Sequence, residues 1–309
     1  MRIVSLLPSL TELVCALGHG DELVGVTHEC DFPPGVERLP HLTQSAIPAG
    51  ASSSEIDALV SAQQGSLYEL DGDRLAELAP DLILTQEQCD VCAVNEETVR
   101  EIAAGLPGPP RVLSVNPTTL DEVFAMFRRV GDAIDARNEA ESLIAGFKLT
   151  FGEAARLRKV AGLGSRPPRR VLVLEWLDPP FSAGHWIPEL IERAGGAEVI
   201  GVSGVPSARI TWKQVVASRP EVVIVAPCGC SLGRAEEDLR AIEDRPEWRD
   251  LPAVRNGAVV VVDGSAYFSR PGPRLETSFR IAAAAIDPEA CGALAPPEGQ
   301  GWRRWQVRH

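Results

Sequence analysis

One passage is written twice in this chain. Residues 75–92, LAELAPDLILTQEQCDVC, are answered by residues 212–230, WKQVVASRPEVVIVAPCGC. Each copy reads as the end of an amphipathic helix, a Pro followed by an acid (Pro80-Asp81, Pro220-Glu221), a short apolar strand, and then a close cysteine pair. A second pair agrees in the same order: residues 12–26, ELVCALGHGDELVGV, match residues 189–202, ELIERAGGAEVIGV, with one residue deleted. Self-similarity carried by several elements at once constrains a fold more than any short motif, and two copies are too few for a solenoid. The duplication predicts two similar lobes, with a ligand cleft between them.

Length agrees, since 309 residues exceeds the size at which a single core stops growing. The balance of 30 basic against 43 acidic residues, a net charge of −13, repels phosphate backbones and anionic lipid. Nucleic acid is therefore excluded as a partner. There is no run of about 18 apolar residues, so no membrane insertion is expected. The start, MRIVSLLPSLTEL, lacks the long apolar region and small-residue cleavage site of a secretory signal. As written the chain reads as cytoplasmic, and as periplasmic or extracellular if a leader has been trimmed.

Strands are expected at 3–7, 23–27, 82–85, 112–115, 171–175, 199–202, 222–226 and 259–262, mostly short apolar runs of the kind that parallel sheets bury on both faces. Helical stretches alternate with them, which predicts an α/β fold of two lobes with mostly parallel sheets. Breaker clusters at 106–110 and 162–170 punctuate the chain. Between them, residues 138–159 suffice for about 33 Å of uninterrupted helix, a strut joining the lobes. The expected domains are an N-terminal α/β lobe over 1–117, a helical linker with the spine helix over 118–163, and a C-terminal α/β lobe over 164–309.

Ligands of open α/β sheets sit beyond the carboxyl ends of the strands. That rule selects His28, Glu29 and Cys30, then Gln86, Cys89 and Cys92, in the first lobe. In the second it selects Trp176, Phe181, His185 and Trp186, then Cys228 and Cys230, then Tyr267 and Arg270. Arg270 among aromatics suits a carboxylate or phosphate, with a salt bridge to Glu276 as the plainer role. Cys89-x-x-Cys92 and Cys228-x-Cys230 fall at equivalent points of the two lobes, with Cys30 and His28 alongside. Thiolates with an imidazole suit zinc, copper or an iron-sulfur cluster. The competing roles are a reversible disulfide or simple pocket lining. Seven cysteines make an odd set without a disulfide framework, and Cys15 and Cys291 read as core.

The blocks PSLTELVCALG with LVGVTHECDFPP, LAELAPDLIL, DPPFSAG, TWKQVVASRPEVVIV and YFSRPGPRL run through most of the chain. In that order they resemble the periplasmic cobalamin-binding proteins, within the class of solute-binding proteins for cobalamin, haem and iron-siderophore complexes. The resemblance implies two α/β lobes on a rigid helical spine and capture of a bulky ligand for an ABC importer. It also implies departures: Glu29, Gln86 and Ser207 stand where aromatics face the corrin, while Phe181 is retained. The implied cargo is a cobalamin-like corrinoid or another metal-containing ligand. The family's acidic permease-docking positions, seven before each repeated Pro, hold Asp73 and Lys213 here, so one lobe keeps the charge and the other reverses it. Binding of a bulky or metal-containing solute is the function expected. The alternatives are a cytoplasmic thiol-rich metal-binding or redox-sensing descendant of the family, and then a cysteine-dependent enzyme with His28 or His185 as base. No G-x-S-x-G, phosphate-loop or H-E-x-x-H motif occurs, so no chemical step is expected.

Overall fold

The computed structural model describes residues 1–48, 50–62, 68–86 and 96–306. Contacts divide the chain into two units, Met1–Pro117 with Glu122–Ile144, and Thr118–Asp121 with Ala145–His309.

Unit 1 contains β1 (Ile3–Ser5), β2 (Leu23–Val26), β3 (Thr43–Ser45), β4 (Tyr68–Leu70), β5 (Leu82–Gln86) and β6 (Arg111–Val115). Its parallel sheet runs β2-β1-β5-β6, while β3 and β4 form a separate antiparallel pair. The helices are α1 (Pro8–Ala16), α2 (Ser53–Ala62), α3 (Gly72–Leu78), α4 (Glu96–Ala104) and most of α5 (Leu120–Ala133). The 24-residue α6 (Arg137–Val160) starts in this unit and ends in the other, about 36 Å at 1.5 Å per residue. Unit 2 holds its later turns through Arg158, which reaches Asp287 at 2.5 Å and the Gly195 carbonyl at 3.0 Å.

Unit 2 contains β7 (Arg169–Leu177), β8 (Pro180–Ser182), β9 (Gly196–Glu198), β10 (Val222–Val225), β11 (Val259–Val262) and β12 (Trp302–Arg304). Its parallel strands run β9-β7-β10-β11, the order of unit 1 over again, with β8 and β12 added antiparallel to β7 and β11. Helices α7 (Ile187–Ala194), α8 (Trp212–Ser218), α9 (Leu232–Ile242), the single turns α10 (Pro246–Arg249) and α11 (Pro252–Arg255), and α12 (Leu275–Ile286) surround the sheet. The runs VVIV and VVVV of β10 and β11 are buried at every position, as strands covered on both faces must be.

The repeated passage folds the same way twice. Asp71 caps α3 by accepting from the Arg74 N–H, and Thr211 caps α8 in a reciprocal capping box with Gln214. Both helices end on a left-handed residue, Ala79 at φ 39° and Arg219 at φ 45°. The acid after each Pro then pins the sheet. Asp81 accepts from the Arg2 N–H at 2.7 Å, and Glu221 from the Arg170 N–H at 2.9 Å.

One expected strand is displaced. Residues 199–202 are not extended; β9 lies just before them because the Glu198 carboxylate gathers the N–H groups of Val173, Val199, Ile200 and Gly201 at 3.0–3.2 Å. The pairing with β7 ends at the Val199 N–H, which also reaches the Val171 carbonyl at 3.0 Å, because the Ile200 and Gly201 N–H groups turn to the carboxylate instead.

Candidate functional site

In unit 2 the end of β7 turns through Asp178 and Pro179 and returns as β8, which sets Phe181 opposite Trp176. The Arg209 guanidinium lies 5.7 Å from the Phe181 ring centroid. Segment 203–210 then runs beside β8 and the residues after it. Ile210 donates to Pro180, Ser182 to Ala208, His185 to Val205 at 2.7 Å, and Gly204 back to His185 at 3.1 Å. Only a residue without a side chain fits at 184, since a Cβ there would lie 2.4 Å from the Ser207 nitrogen. Beneath this ribbon the Glu175 carboxylate accepts from the Gly184 N–H at 3.3 Å and from the Ser207 hydroxyl. Burial pushes its pKa up to about 7, against the pull of those two donors.

His185 and Trp186 sit at the start of α7. Their rings stack at 5.6 Å with 29° between planes, and the Trp186 Nε1–H donates to the Phe268 carbonyl at 2.9 Å. Burial lowers the pKa of His185. The ends of β10 and β11 close the same rim. The Cys228 N–H donates to the Glu175 carbonyl at 3.0 Å, and the Ser265 N–H to the Cys230 carbonyl at 3.1 Å. The Arg274 guanidinium stands 5.8 Å from the Tyr267 ring. Arg270 is buried and donates to the Ser265 hydroxyl at 3.3 Å, while Glu276 is engaged by Arg280 and Thr150. Of the strand-end residues named from sequence in this half, Trp176 pairs with Phe181 and His185 stacks on Trp186, while Trp186, Cys230 and Arg270 are themselves buried.

In unit 1, His28 is half-buried with its Nδ1 on the Thr43 hydroxyl at 2.7 Å and its ring 5.2 Å from that of Tyr68. The Tyr68 hydroxyl donates to Glu29 at 2.9 Å. The His28 Nε2 is buried and has no hydrogen-bond partner among the described residues. Burial, first among several influences, lowers its pKa. The ring edges a cavity of about 610 Å³ whose walls include His41, Thr43, Gln44, Glu69 and Arg74, within the usual size range of small-molecule pockets. Thr43 and Tyr68 went unnoticed in the sequence because β3 and β4 pair across a long insertion with no turn signature. The one available hint was scarcity, since the chain has only 2 tyrosines, and the other is Tyr267. Gln86 is buried at the end of β5, its amide nitrogen without a partner among the described residues.

The thiols are unalike. Cys30 is buried with Val26 and Val36, its sulfur 3.1 Å from the Thr11 hydroxyl. Cys228 is exposed, whereas Cys230 is buried. Burial, with Asp238 next, pushes the Cys230 thiol up to about 12. Cys89 and Cys92, two of the five expected thiols, lie outside the described residues. Among the described residues no three His, Cys, Asp or Glu side chains are grouped as a metal ion requires. Asp73 and Lys213, the docking positions, are both exposed at the second residue of their helices, α3 and α8.

Residues 3–266 match the model of a family described as periplasmic binding protein. The chain belongs to that family. The vitamin B12-binding protein of Pectobacterium atrosepticum is 23% identical over 276 residues, 89% of this chain and 84% of that one. Its counterpart in Yersinia pestis is 25% identical over 232 residues, 73% and 69% of the two chains. Among solved structures, a periplasmic haem-binding protein from Pseudomonas aeruginosa is 20% identical and superposes with a TM-score of 0.74, covering 100% of this chain and 99% of that one. The periplasmic vitamin B12 binding protein of Vibrio cholerae, also 20% identical, gives 0.60 over 92% and 96%. These likenesses establish the α/β fold of a solute-binding class. They also correct the expectation of a cytoplasmic protein, since the family is described as periplasmic binding protein and both solved structures as periplasmic. Among the described residues no helix is long and apolar enough to cross a membrane.

Proposed function

We propose that this protein captures a bulky, metal-bearing solute of the vitamin B12 or haem kind for an ABC importer. The observation that carries the reading is the aromatic rim of unit 2, where Trp176 and Phe181 pair across β7 and β8, Arg209 covers Phe181, and His185 stacks on Trp186. Aromatic faces and cations at strand ends suit a large flat solute with anionic or amide edges. Within unit 2, Arg270 adds a buried cation that donates to the Ser265 hydroxyl. The names of the relatives, vitamin B12-binding and haem-binding, favour the same solute class. Glu29, Gln86 and Ser207 in place of stacking aromatics weaken corrin binding by roughly 2–4 kcal/mol, which favours a solute other than intact vitamin B12.

The test is thermal unfolding with cyanocobalamin, aquacobinamide and haemin, together with the absorbance spectrum of freshly purified protein. A rise in melting temperature with at least one of them, reduced in Trp176→Ala and Phe181→Ala, is the expected result. No shift with any of the three would sink the reading. Importer stimulation weaker than that of a Lys213→Glu variant is expected, since a cation replaces the acid at that docking position. A second reading, metal held by thiolates, is favoured by the exposure of Cys228 on the same rim. It requires zinc or iron stoichiometric with the purified protein and lost in Cys228→Ser.

A further inference from the structure

Two non-glycine residues hold left-handed backbone on the rim of unit 2, His185 at φ 50° and Phe268 at φ 65°. Others in the chain have ordinary explanations, since Ala79 and Arg219 terminate helices and Asp135 turns the chain between α5 and α6. His185 and Phe268 end no helix. A side chain in this region is strained, and such strain persists only where the surroundings impose it.

The surroundings do impose it. Both backbone polar groups of His185 are taken by the neighbouring segment, the N–H by the Val205 carbonyl at 2.7 Å and the carbonyl by the Gly204 N–H at 3.1 Å. Phe268 is fully buried; its N–H donates to the Ser278 hydroxyl at 2.9 Å and its carbonyl accepts the Trp186 indole at 2.9 Å. Trp186 is thereby fixed, and the His185 ring lies against it. The chain Ser278, Phe268, Trp186 ends in an imidazole whose plane is set but whose nitrogens bond to no described residue. Val202 and Val205 of the abutting segment are 58% and 48% exposed.

Strain, fixation and unspent nitrogens together describe a donor held ready for a ligand. We infer that His185 is the metal-ligating residue of this rim, its imidazole taking an exchangeable coordination position on a transition-metal centre carried by the solute. Imidazole nitrogen suits iron, cobalt, nickel, copper and zinc. In the step a coordinated water leaves with its own electron pair, the imidazole lone pair forms the new metal–nitrogen bond, and no electron is transferred. The inference rests on the reading that the rim of unit 2 receives the solute, and adds the metal contact to it.

The test uses the full chain, wild type and His185→Asn, with haemin, aquacobinamide and metal-free protoporphyrin IX. Asn tolerates left-handed backbone, so this variant keeps the turn and removes the imidazole. Wild type is expected to bind haemin or aquacobinamide about tenfold or more tightly than the metal-free ring, with the absorbance shift of nitrogen coordination. In His185→Asn that preference and the spectral shift should vanish while the melting temperature holds or rises. In His185→Gly, added free imidazole should restore the spectrum. If His185→Asn keeps the shift and the preference, the assignment is wrong. If wild type binds metal-free and metal-bearing rings equally, the metal contact falls while solute capture stands. If wild type binds none of the three probes, both fall.

Discussion

Arg2 and Arg170 occupy the same place in the two units: each donates its Nε to the carbonyl of the last residue of a matched helix, Leu78 at 2.9 Å and Ser218 at 3.1 Å. Each also gives its backbone N–H to the acid that follows the repeated Pro. One arginine therefore ties a strand start, a helix end and a strand-preceding loop together, once per unit. Removing the acid in Asp81→Ala or Glu221→Ala should cost about 1 kcal/mol each, since these charge-assisted bonds lie at the surface. Urea midpoints measure it, and unchanged midpoints in both variants would refute the shared anchor.

Glu175 and Glu198 make stability depend on pH in unit 2. Each carboxyl is raised from 4.5 to about 7 by burial, so the folded state holds a proton that the unfolded chain has released between those values. The contribution is fully present below pH 4.5, falls as pH rises through about 7, and is flat above. Each residue still has some surface in solvent, which limits the effect to on the order of 1–2 kcal/mol. Glu175→Gln keeps both hydrogen bonds without the charge. It should be more stable than wild type at pH 8 and equal to it at pH 4, by urea midpoint; a wild-type curve without that fall would count against the buried carboxyls.

Gly184→Ala should loosen the ribbon under the aromatic rim. A Cβ 2.4 Å from the Ser207 nitrogen and 2.5 Å from the Val205 oxygen meets backbone, which cannot swing aside as a side chain can. The segment that fixes His185 must shift, at a cost of about 2–4 kcal/mol. Thermal unfolding and haemin affinity should both drop.

Thiol labelling should separate the cysteines. In a Cys89→Ser, Cys92→Ser background, Cys228 is the exposed thiol, while Cys30, Cys230 and Cys291 are buried. Burial and the neighbouring Cys30 push half-buried Cys15 up to about 11, and burial raises Cys230 to about 12. The thiolate is the reactive form. One fast-reacting group per chain is expected, absent in Cys228→Ser, with the others appearing on denaturation.

Lys213→Glu should stabilise the fold slightly. A cation at the second residue of α8 opposes the positive end of the helix dipole, and an acid there gains about 0.3–1 kcal/mol. High salt should erase the gain.

The sequence by itself determined the elements that depend on near neighbours. Apolar runs such as VVIV and VVVV announced buried strands, the proline-free stretch announced α6, and the Pro-acid passage, copied whole, announced two units of one topology. Local composition decides these because burial and helix periodicity act over a few residues. The tertiary structure alone decided the rest. Glu198 moved β9 ahead of the matched segment by drawing four N–H groups to one carboxylate. Tyr68 and Thr43 reached His28 through an antiparallel pair joined over 22 intervening residues, and Phe268 reached Trp186 across 82 positions. His185 took left-handed backbone because Val205 and Gly204 bind it, not because of any residue beside it. Such choices rest on which distant donor meets which acceptor once the sheets have formed, and that geometry leaves no mark on composition or spacing.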